Sequence, residues 1–340
     1  MTPFISIVVP TYNRKASLRR LLAAVERQTY PVGEFEVIVV DDGSSDGTRE
    51  EVRRLQLPFE LRLIEQEHAG PAAARNLGVE RARGELIVFL DDDVVPVPDL
   101  LAEHARTHEL RSDLVVIGPM SPPINWHRPA WVRWEEDLLQ IQYRDMVAGK
   151  YPCTPRQLYT ANASTRREQF LAVGGFDTTF QRAEDVELGY RLRDAGARFT
   201  FNPRADVMHY ASRSFDAWLR TPHQYGRYDV AMARDKGQQT LQWATYEFHS
   251  RNPLTRALVK MCVGRPRLVA GARALLRGVV SAADAVGVGP RWTGYILSGI
   301  FNLMYWQGAA EELGGRQAVL DALADGARVS SLPPLVDEAA

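Results

Sequence analysis

Cysteine is scarce in this 340-residue chain, and both copies, Cys153 and Cys262, lie far apart with no CxxC and no histidine at ligand spacing. That argues against a structural zinc site, rules out a disulfide framework and suits a reducing compartment, a single bridge between the two being the alternative. Net charge is also nearly absent, with 41 Lys plus Arg against 42 Asp plus Glu. The strong basic excess of a nucleic-acid-binding chain is missing, and no nucleic-acid partner is expected. No GxGxxG follows the first apolar run and no GxxxxGK[ST] occurs; Gly287 and Gly289 lack a third glycine. A nicotinamide-binding Rossmann enzyme and a P-loop NTPase are therefore disfavoured. Nor is there a long apolar run. The uncharged stretch Trp292–Ala310 is diluted by Asn302, Gln307 and its glycines, so it reads as a buried or interfacial helix, a membrane span being the alternative. The apolar residues Phe4–Val9 have no cationic segment before them and end at Pro10. They read as a first strand and not a signal peptide, and a cytoplasmic location is expected.

What remains is an ordinary globular composition, 45% hydrophobic and 24% charged, long enough for about two domains of ~150 residues. Its first half alternates two periods. Ile5–Val9, Val37–Val40, Leu61–Ile64 and Leu86–Leu90 are compact apolar runs. Between them Leu18, Leu21, Leu22 and Val25 recur at helical spacing, and Thr48–Leu55 and Pro71–Ala82 read as helices. Such alternation predicts right-handed crossovers and an α/β, doubly wound, mostly parallel sheet. Ser121–Tyr159, rich in Pro, Trp and Tyr with weak periodicity, reads as a long ordered insertion. A second compact block, Asn162–His209, predicts a helix over Glu184–Ala195 and short strands ending near Phe201 and His209. Past Phe215 the pattern is helical.

Ligands of such sheets bind beyond the carboxyl ends of the strands. Three strand tips therefore matter: Pro10-Thr11-Tyr12-Asn13, Asp41-Asp42-Gly43-Ser44-Ser45-Asp46-Gly47 and Asp91-Asp92-Asp93. Three adjacent carboxylates repel one another unless solvated or screened by a cation. Oxygen ligands suit Mg²⁺ or Mn²⁺, which share their shell with phosphate; the competing reading is a solvated turn. At the second tip a carboxylate can accept the imide N–H of uracil, or Ser and Asp can cap the helix at Thr48. Tyr12 offers an aromatic face to a base, although packing is the commoner fate of a tyrosine. Glu184-Asp185 opens a helix, where acidic residues are routine dipole partners unless one faces the ligand and takes a proton. His209 is an ordinary structural histidine unless the sheet brings it beside the Asp triplet. Trp126, Trp131, Trp134 and Tyr143 suit either sugar stacking or a satellite core.

Taken in order, Ile5–Asn13, Val39–Thr48, Ala74-Arg75-Asn76-Leu77-Gly78, Phe89–Asp93, Val173-Gly174-Gly175-Phe176-Asp177 and Glu184-Asp185-Val186-Glu187-Leu188 resemble the inverting glycosyltransferases of family two, with a GT-A fold. The resemblance spans residues 4 to 210. It implies a GT-A catalytic domain over 1–215, with a nucleotide-sugar half about 1–118 and an acceptor half about 119–215. A helical C-terminal region over 216–330 and a frayed tail over 331–340 follow. It implies that Asp91 and Asp93, with His209 in some members, hold a divalent metal ion (Mn²⁺ or Mg²⁺). Pro10, Thr11, Tyr12, Asn13, Asp41, Asp42 and Asp92 line the donor, with Asp42 favoured over Asp41 for the base. Arg75 sits by the diphosphate or ribose, and Gly174 and Gly175 let backbone approach the sugar. Asp185 is the catalytic base, with Glu184 beside it. Where many members carry a second Asp, this chain has Glu187.

The implied reaction moves a sugar from a nucleoside-diphosphate sugar, UDP favoured, to a hydroxyl of a carbohydrate or lipid-linked acceptor, in glycan or polysaccharide biosynthesis. Two alternatives stand beside it: a nucleotide-sugar-binding protein without activity, and a sugar-phosphate nucleotidyltransferase. The latter usually carries a basic, glycine-rich N-terminal loop that Pro10–Arg14 does not resemble. From Arg251 to Arg291 eight basic residues face Asp284 alone. That excess fits a solvated helical appendage or, alternatively, peripheral contact with an anionic membrane. The oligomeric state has no sequence signal.

Overall fold

The computed structural model describes residues 2–180, 182–287 and 289–326, with the side chains of Pro290 and Arg291 left aside. The tail expected over 331–340 lies outside the described residues, as does the end of the helical region beyond 326. The chain forms two compact units: residues through Trp126 with Leu139–Ala211, and His127–Leu138 with Ser212 onward.

The first unit begins with β1 (Ile5–Thr11), α1 (Lys15–Val25), β2 (Phe35–Asp41), α2 (Thr48–Arg54), β3 (Glu60–Glu65), α3 (Pro71–Arg81) and β4 (Leu86–Leu90). The hydrophobic runs thus fall where the periodicity predicts, within a residue or two. There follow β5 (Val94–Pro96), α4 (Leu100–Glu109), β6 (Leu114–Ile117) and β7 (Met120–Ser121), then α5 (Ala130–Val147). The unit closes with β8 (Asn162–Arg166), α6 (Arg167–Ala172), α7 (Glu184–Asp194), β9 (Arg198–Phe201) and β10 (Val207–His209). Seven strands make one sheet in the order β3-β2-β1-β4-β8-β6-β9. All neighbours are parallel except β8, which runs antiparallel to both β4 and β6. The fold is the α/β, doubly wound mixed sheet that the resemblance implies.

Why the sheet is two-sided is visible in the strand alternation. Ile5, Ile7, Val9, Val37, Val39, Val88 and Leu90 pack on one face with Leu18, Leu21 and Leu101. Val8, Ile38, Val40, Ile87 and Phe89 pack on the other with Ala74, Phe170 and Leu188. Strands buried on both faces read as continuous apolar runs, which is how β1, β2 and β4 appear in the sequence.

The sheet's centre is also pinned by a polar chain. Asn162 Nδ2 donates to the carbonyls of Pro119 (2.8 Å) and Ala205 (2.7 Å), so its Oδ1 accepts from His104 Nε2 at 3.1 Å. His104 Nδ1 then accepts from Ser164 Oγ (2.8 Å), which in turn accepts from His108 Nε2 (2.8 Å). Burial favours the neutral imidazoles and depresses His104 to about 4 and His108 to about 3. This chain fastens α4 to β8.

Within the long ordered insertion that the sequence suggests, the structure has an 18-residue helix, α5, which the weak periodicity did not announce. Trp131 and Trp134 of this helix lie in the second unit's core against Phe215 and Trp218, and Tyr143 stacks on Phe201 at 5.2 Å in the first. Packing therefore claims three of the four candidate sugar-stacking aromatics. Trp126 is partly exposed, its ring edge-on to Tyr210. The second unit is helical: α8 (Phe215–Lys236), α9 (Thr240–Ser250), α10 (Pro253–Cys262), α11 (Pro266–Ala285), α12 (Pro290–Leu313) and α13 (Arg316–Gly326). Among the described residues no helix is long and apolar enough to cross a membrane, Trp292–Ala310 in α12 included.

Candidate active site

Parallel strands β1, β2 and β4 end side by side, with Thr11 in register with Asp41. Their tips carry Pro10–Asn13, Asp41–Ser45 and Asp91–Asp93, so the three sequence motifs meet at one edge. The first two tips are tied by Asn13, whose backbone is left-handed (φ 53°), a conformation asparagine tolerates better than most residues. Its Oδ1 accepts from Ser45 N at 2.8 Å, and its own N–H donates to Ser44 Oγ at 2.9 Å. Asp46 accepts from the first N–H of α1 (Lys15, 3.1 Å) and of α2 (Thr48, 3.1 Å). Desolvation works against its charge, but these donors win and lower its pKa. The helix-capping reading of this motif holds for Asp46.

The two adjacent aspartates differ sharply. Asp42 is saturated: Oδ1 accepts from Gln66 Nε2 (2.7 Å) and Ala69 N (2.8 Å), and Oδ2 from Gly70 N (2.9 Å) and lies 2.8 Å from His68 Nδ1. It buckles the end of β2 to the start of α3. Asp41 is fully buried; its Oδ2 accepts from Ser44 N (3.1 Å) and from Arg49, while Oδ1 has no hydrogen-bond partner. Tyr12 is exposed and stacks on His68, ring centroids 4.2 Å apart.

The Asp triplet forms the turn between β4 and β5, and its carboxylates point different ways. Asp92 turns inward, its Oδ2 accepting from Thr11 Oγ1 at 2.7 Å, and burial first, then its acidic neighbours, lift it to about 7. Asp91 and Asp93 face outward. Asp93 accepts from Arg14 Nη1 at 2.9 Å. Antiparallel pairing of β10 with β5 sets His209 opposite Val94, which brings its Nε2 to 3.5 Å from Asp93 Oδ1.

Arg75 is the junction. Almost wholly buried, it donates through Nη2 to Asp91 Oδ1 (2.6 Å) and through Nη1 to Glu184 Oε1 (3.1 Å), and its Nε has no partner. Burial alone would lower its pKa, and the charges of Asp91 and Glu184 more than reverse that. One guanidinium thus joins the β4 tip to the first turn of α7. Asp185 stands beside it, partly exposed. Desolvation, then the charge of Glu184, holds its carboxyl well above the usual carboxylate range, and it also feels Arg75 and Asp91. Ala183, just before α7, is left-handed (φ 58°). A residue with a Cβ held there costs of order 1–3 kcal/mol and is tolerated where the surroundings over-determine it.

The rest of the Arg75 motif is also explained. Asn76 Nδ2 donates to the carbonyl of Phe176 at 2.9 Å and its Oδ1 accepts from Phe176 N at 2.8 Å. This clamps the turn in which Gly174 (φ 81°) and Gly175 (φ 70°) are both left-handed. A Cβ on Gly175 would lie 2.6 Å from Asn76 Oδ1, and one on Gly78 2.5 Å from Val8 Cγ1. Glu187 pairs with Arg191, which also donates to the carbonyl of Val173 at 2.6 Å. Its place is structural, tying α7 to the same turn. Sequence reasoning did not single out Arg14, His68 or Asn76, and only Asn76 had a signal, its place inside a recognised motif.

Among the described residues no group of three His, Cys, Asp or Glu side chains forms a ready ligand cluster. The Asp93–His209 pair nevertheless suits a divalent ion. Adjacent ligands of an octahedral shell at 2.0–2.1 Å stand about 3 Å apart, and Mg²⁺-type ions take one or two protein carboxylates and fill the remainder with phosphate and water. An oxygen and an imidazole also match Mn²⁺.

With this geometry in hand, comparison with known proteins decides the family. The sequence model described as Glycosyl transferase family 2 matches residues 6–170. Glycosyltransferase AglE of Haloferax volcanii is 30% identical over 227 residues, covering 66% of this chain and 72% of that protein. The chain belongs to glycosyltransferase family 2. A validoxylamine A glucosyltransferase of Streptomyces hygroscopicus is 34% identical over 227 residues, 58% of this chain and 53% of that protein, so the chain spans about half that relative's length. A mannosyltransferase of Pyrobaculum calidifontis, solved with GDP-Man and Mn²⁺, superposes with a TM-score of 0.58 at 23% identity over 97% of this chain and 89% of its own. That likeness confirms the GT-A fold.

Proposed function

We propose that this family 2 protein transfers a sugar, with inversion, from a nucleoside-diphosphate sugar to a hydroxyl of a carbohydrate or lipid-linked acceptor, and that it uses a divalent metal. The supporting observation is the Arg75 junction, which gathers Asp91, Glu184 and Asp185 around one guanidinium. The mannosyltransferase neighbour was solved with a nucleotide-sugar and Mn²⁺, in keeping with this reading.

UDP is favoured because Asp41 Oδ1, buried and unpaired, is the carboxylate oxygen still able to accept a uracil imide N–H; Asp42 has spent its lone pairs. An uncompensated buried oxygen costs ~1–3 kcal/mol, which a bound base would return. Tyr12 supplies a ring face to the base. With His68 at stacking distance, the base takes the other face of Tyr12 or displaces His68. Gly174 and Gly175 leave the turn without side chains beside the sugar. Asp93 and His209, with Asp91, would hold the metal, which supplies positive charge for the departing diphosphate. Asp185, its carboxyl held basic by burial and by Glu184, accepts the proton of the attacking hydroxyl. A single displacement then needs no protein nucleophile, and an α-linked donor gives a β-linked product. Sugar donors with UDP, GDP or dTDP, tried against a panel of acceptors with Mn²⁺ and with EDTA, test this by release of free nucleoside diphosphate. UDP release that EDTA abolishes is the expected result. Pyrophosphate release, or no turnover of any donor, overturns the proposal.

A further inference from the structure

The second unit has a surface that the transfer reaction does not use. Helix α11 is held in its unit by Val269 and Val280, yet it exposes a separate apolar stripe: Leu268, Leu275, Val279 and Val286 just beyond its end. Leu275 is 66% exposed and Val286 77%. Members recur seven, four and seven residues apart, so they share one face of the helix. Gly271 and Gly278 add to it, and a Cβ at either would meet no atom within 4 Å. No described protein group covers this stripe. On α10, Leu254 and Met261 are likewise exposed, and Trp292, 69% exposed, follows at the start of α12.

The charge around these residues is mostly of one sign, the acidic Asp284 near the end of α11 being paired with Arg133. From Arg251 to Ala283 the chain has seven Lys and Arg and no Asp or Glu. Arg273 and Arg277 lean on Asp216, and Arg251 on Glu247. Among the described residues, Arg256, Lys260, Arg265 and Arg267 have no acidic partner. A second copy of the chain would set cation against cation across a symmetric contact, which is unfavourable. A polyanion without hydrocarbon would leave the leucines and valines in water. A bilayer with anionic headgroups satisfies both: aliphatic side chains enter the acyl boundary while arginine and lysine stems reach back to the headgroups.

We propose that the α10–α11 surface docks the protein on an anionic lipid bilayer, lying in the interface without crossing it. The site residues of the transfer reaction take no part, so this inference stands or falls apart from the proposed activity. Each Lys or Arg near an anionic leaflet tightens binding about five-fold, and the stripe adds apolar burial.

The test is flotation of the full chain with vesicles of 70% phosphatidylcholine and 30% phosphatidylglycerol against vesicles of phosphatidylcholine alone. Partition should be at least about ten-fold stronger on the anionic vesicles and collapse in 0.5 M salt. Two double variants separate the contributions: Leu275→Asp with Val279→Asp on the stripe, and Lys260→Glu with Arg267→Glu beside it. All four positions are exposed, so the fold is retained, and circular dichroism checks it. Each double variant should lose at least about ten-fold in partition. Equal flotation on both vesicle types, no flotation, or variants that float like the parent would overturn the proposal. So would sedimentation equilibrium showing that the stripe variant merely converts a dimer to a monomer.

Discussion

Asp185 and the Asp41–Asp42 pair carry the sharpest residue-level expectations. Replacing Asp185 with Asn removes a proton acceptor while keeping size and hydrogen bonding. Turnover should fall about 10²–10⁴-fold, with donor affinity by calorimetry within about two-fold. Because burial raises the Asp185 pKa, the base is neutralised at a higher pH than an ordinary carboxylate. Activity should therefore decline as pH falls through that raised value, and a pH–rate profile of kcat/KM that stays flat down to pH 5 would remove Asp185 as the base. At the other tip, Asp41→Asn should weaken UDP binding about ten-fold or more and also lower Tm, because Arg49 loses its charged partner. Asp42→Asn breaks a four-way buckle and should cost about 1–3 kcal/mol in denaturant unfolding. Sequence alone left these neighbours unresolved and leaned to Asp42. Which of two adjacent carboxylates keeps an open lone pair depends on the loop at Gln66–Gly70, some two dozen residues away.

Elements were legible where burial and periodicity agreed. Strands β1, β2 and β4 are largely apolar on both faces and bounded by polar tips, so their existence was legible, although β1 runs on through Pro10 to Thr11 and β2 begins at Phe35, two residues before its apolar run. Strand β8 is the opposite case. Its buried residues include Asn162, Ser164 and Thr165; His104 and His108 answer the first two from α4 and Gln169 answers the third, partnerships no local pattern announces. Helix α5 escaped for a different reason. Trp131 and Trp134 serve one core and Tyr143 another, so two apolar faces overlap in sequence and blur the 3.6-residue period. The turn at Gly174–Phe176 shows what a short motif means physically. Asn76 holds it from α3 through two hydrogen bonds, so Asn76→Ala should lower stability by about 2 kcal/mol and raise KM for the donor sugar. A Tm within about one degree of the parent, read by differential scanning fluorimetry, would show that the turn holds itself.

At the level of the whole molecule, the buried His108–Ser164–His104–Asn162 chain makes stability depend on acidity. Unfolded, both imidazoles take up protons near pH 6.5; folded, they resist until about 4 and about 3. Below pH 6.5 the unfolded chain therefore binds more protons, and each histidine withdraws up to ~1.4 kcal/mol per pH unit until its folded value is reached. Urea midpoints should fall steadily from pH 6.5 to 4.5, and His108→Gln should flatten that slope.

The two-unit organisation has a practical corollary for anyone wishing to dissect the gene. Residues 127–138 belong with the later unit although they are encoded inside the earlier one, so no single stop codon liberates an intact half. A product ending at residue 211 would carry Ala130, Trp131 and Trp134 stripped of Phe215 and Trp218, a sticky aromatic flap inviting aggregation. Conversely, a fragment starting at 212 would be missing part of its own interior. Modular shuffling of this scaffold must therefore cut twice, splicing across that short borrowed stretch or redesigning its tryptophans as polar residues.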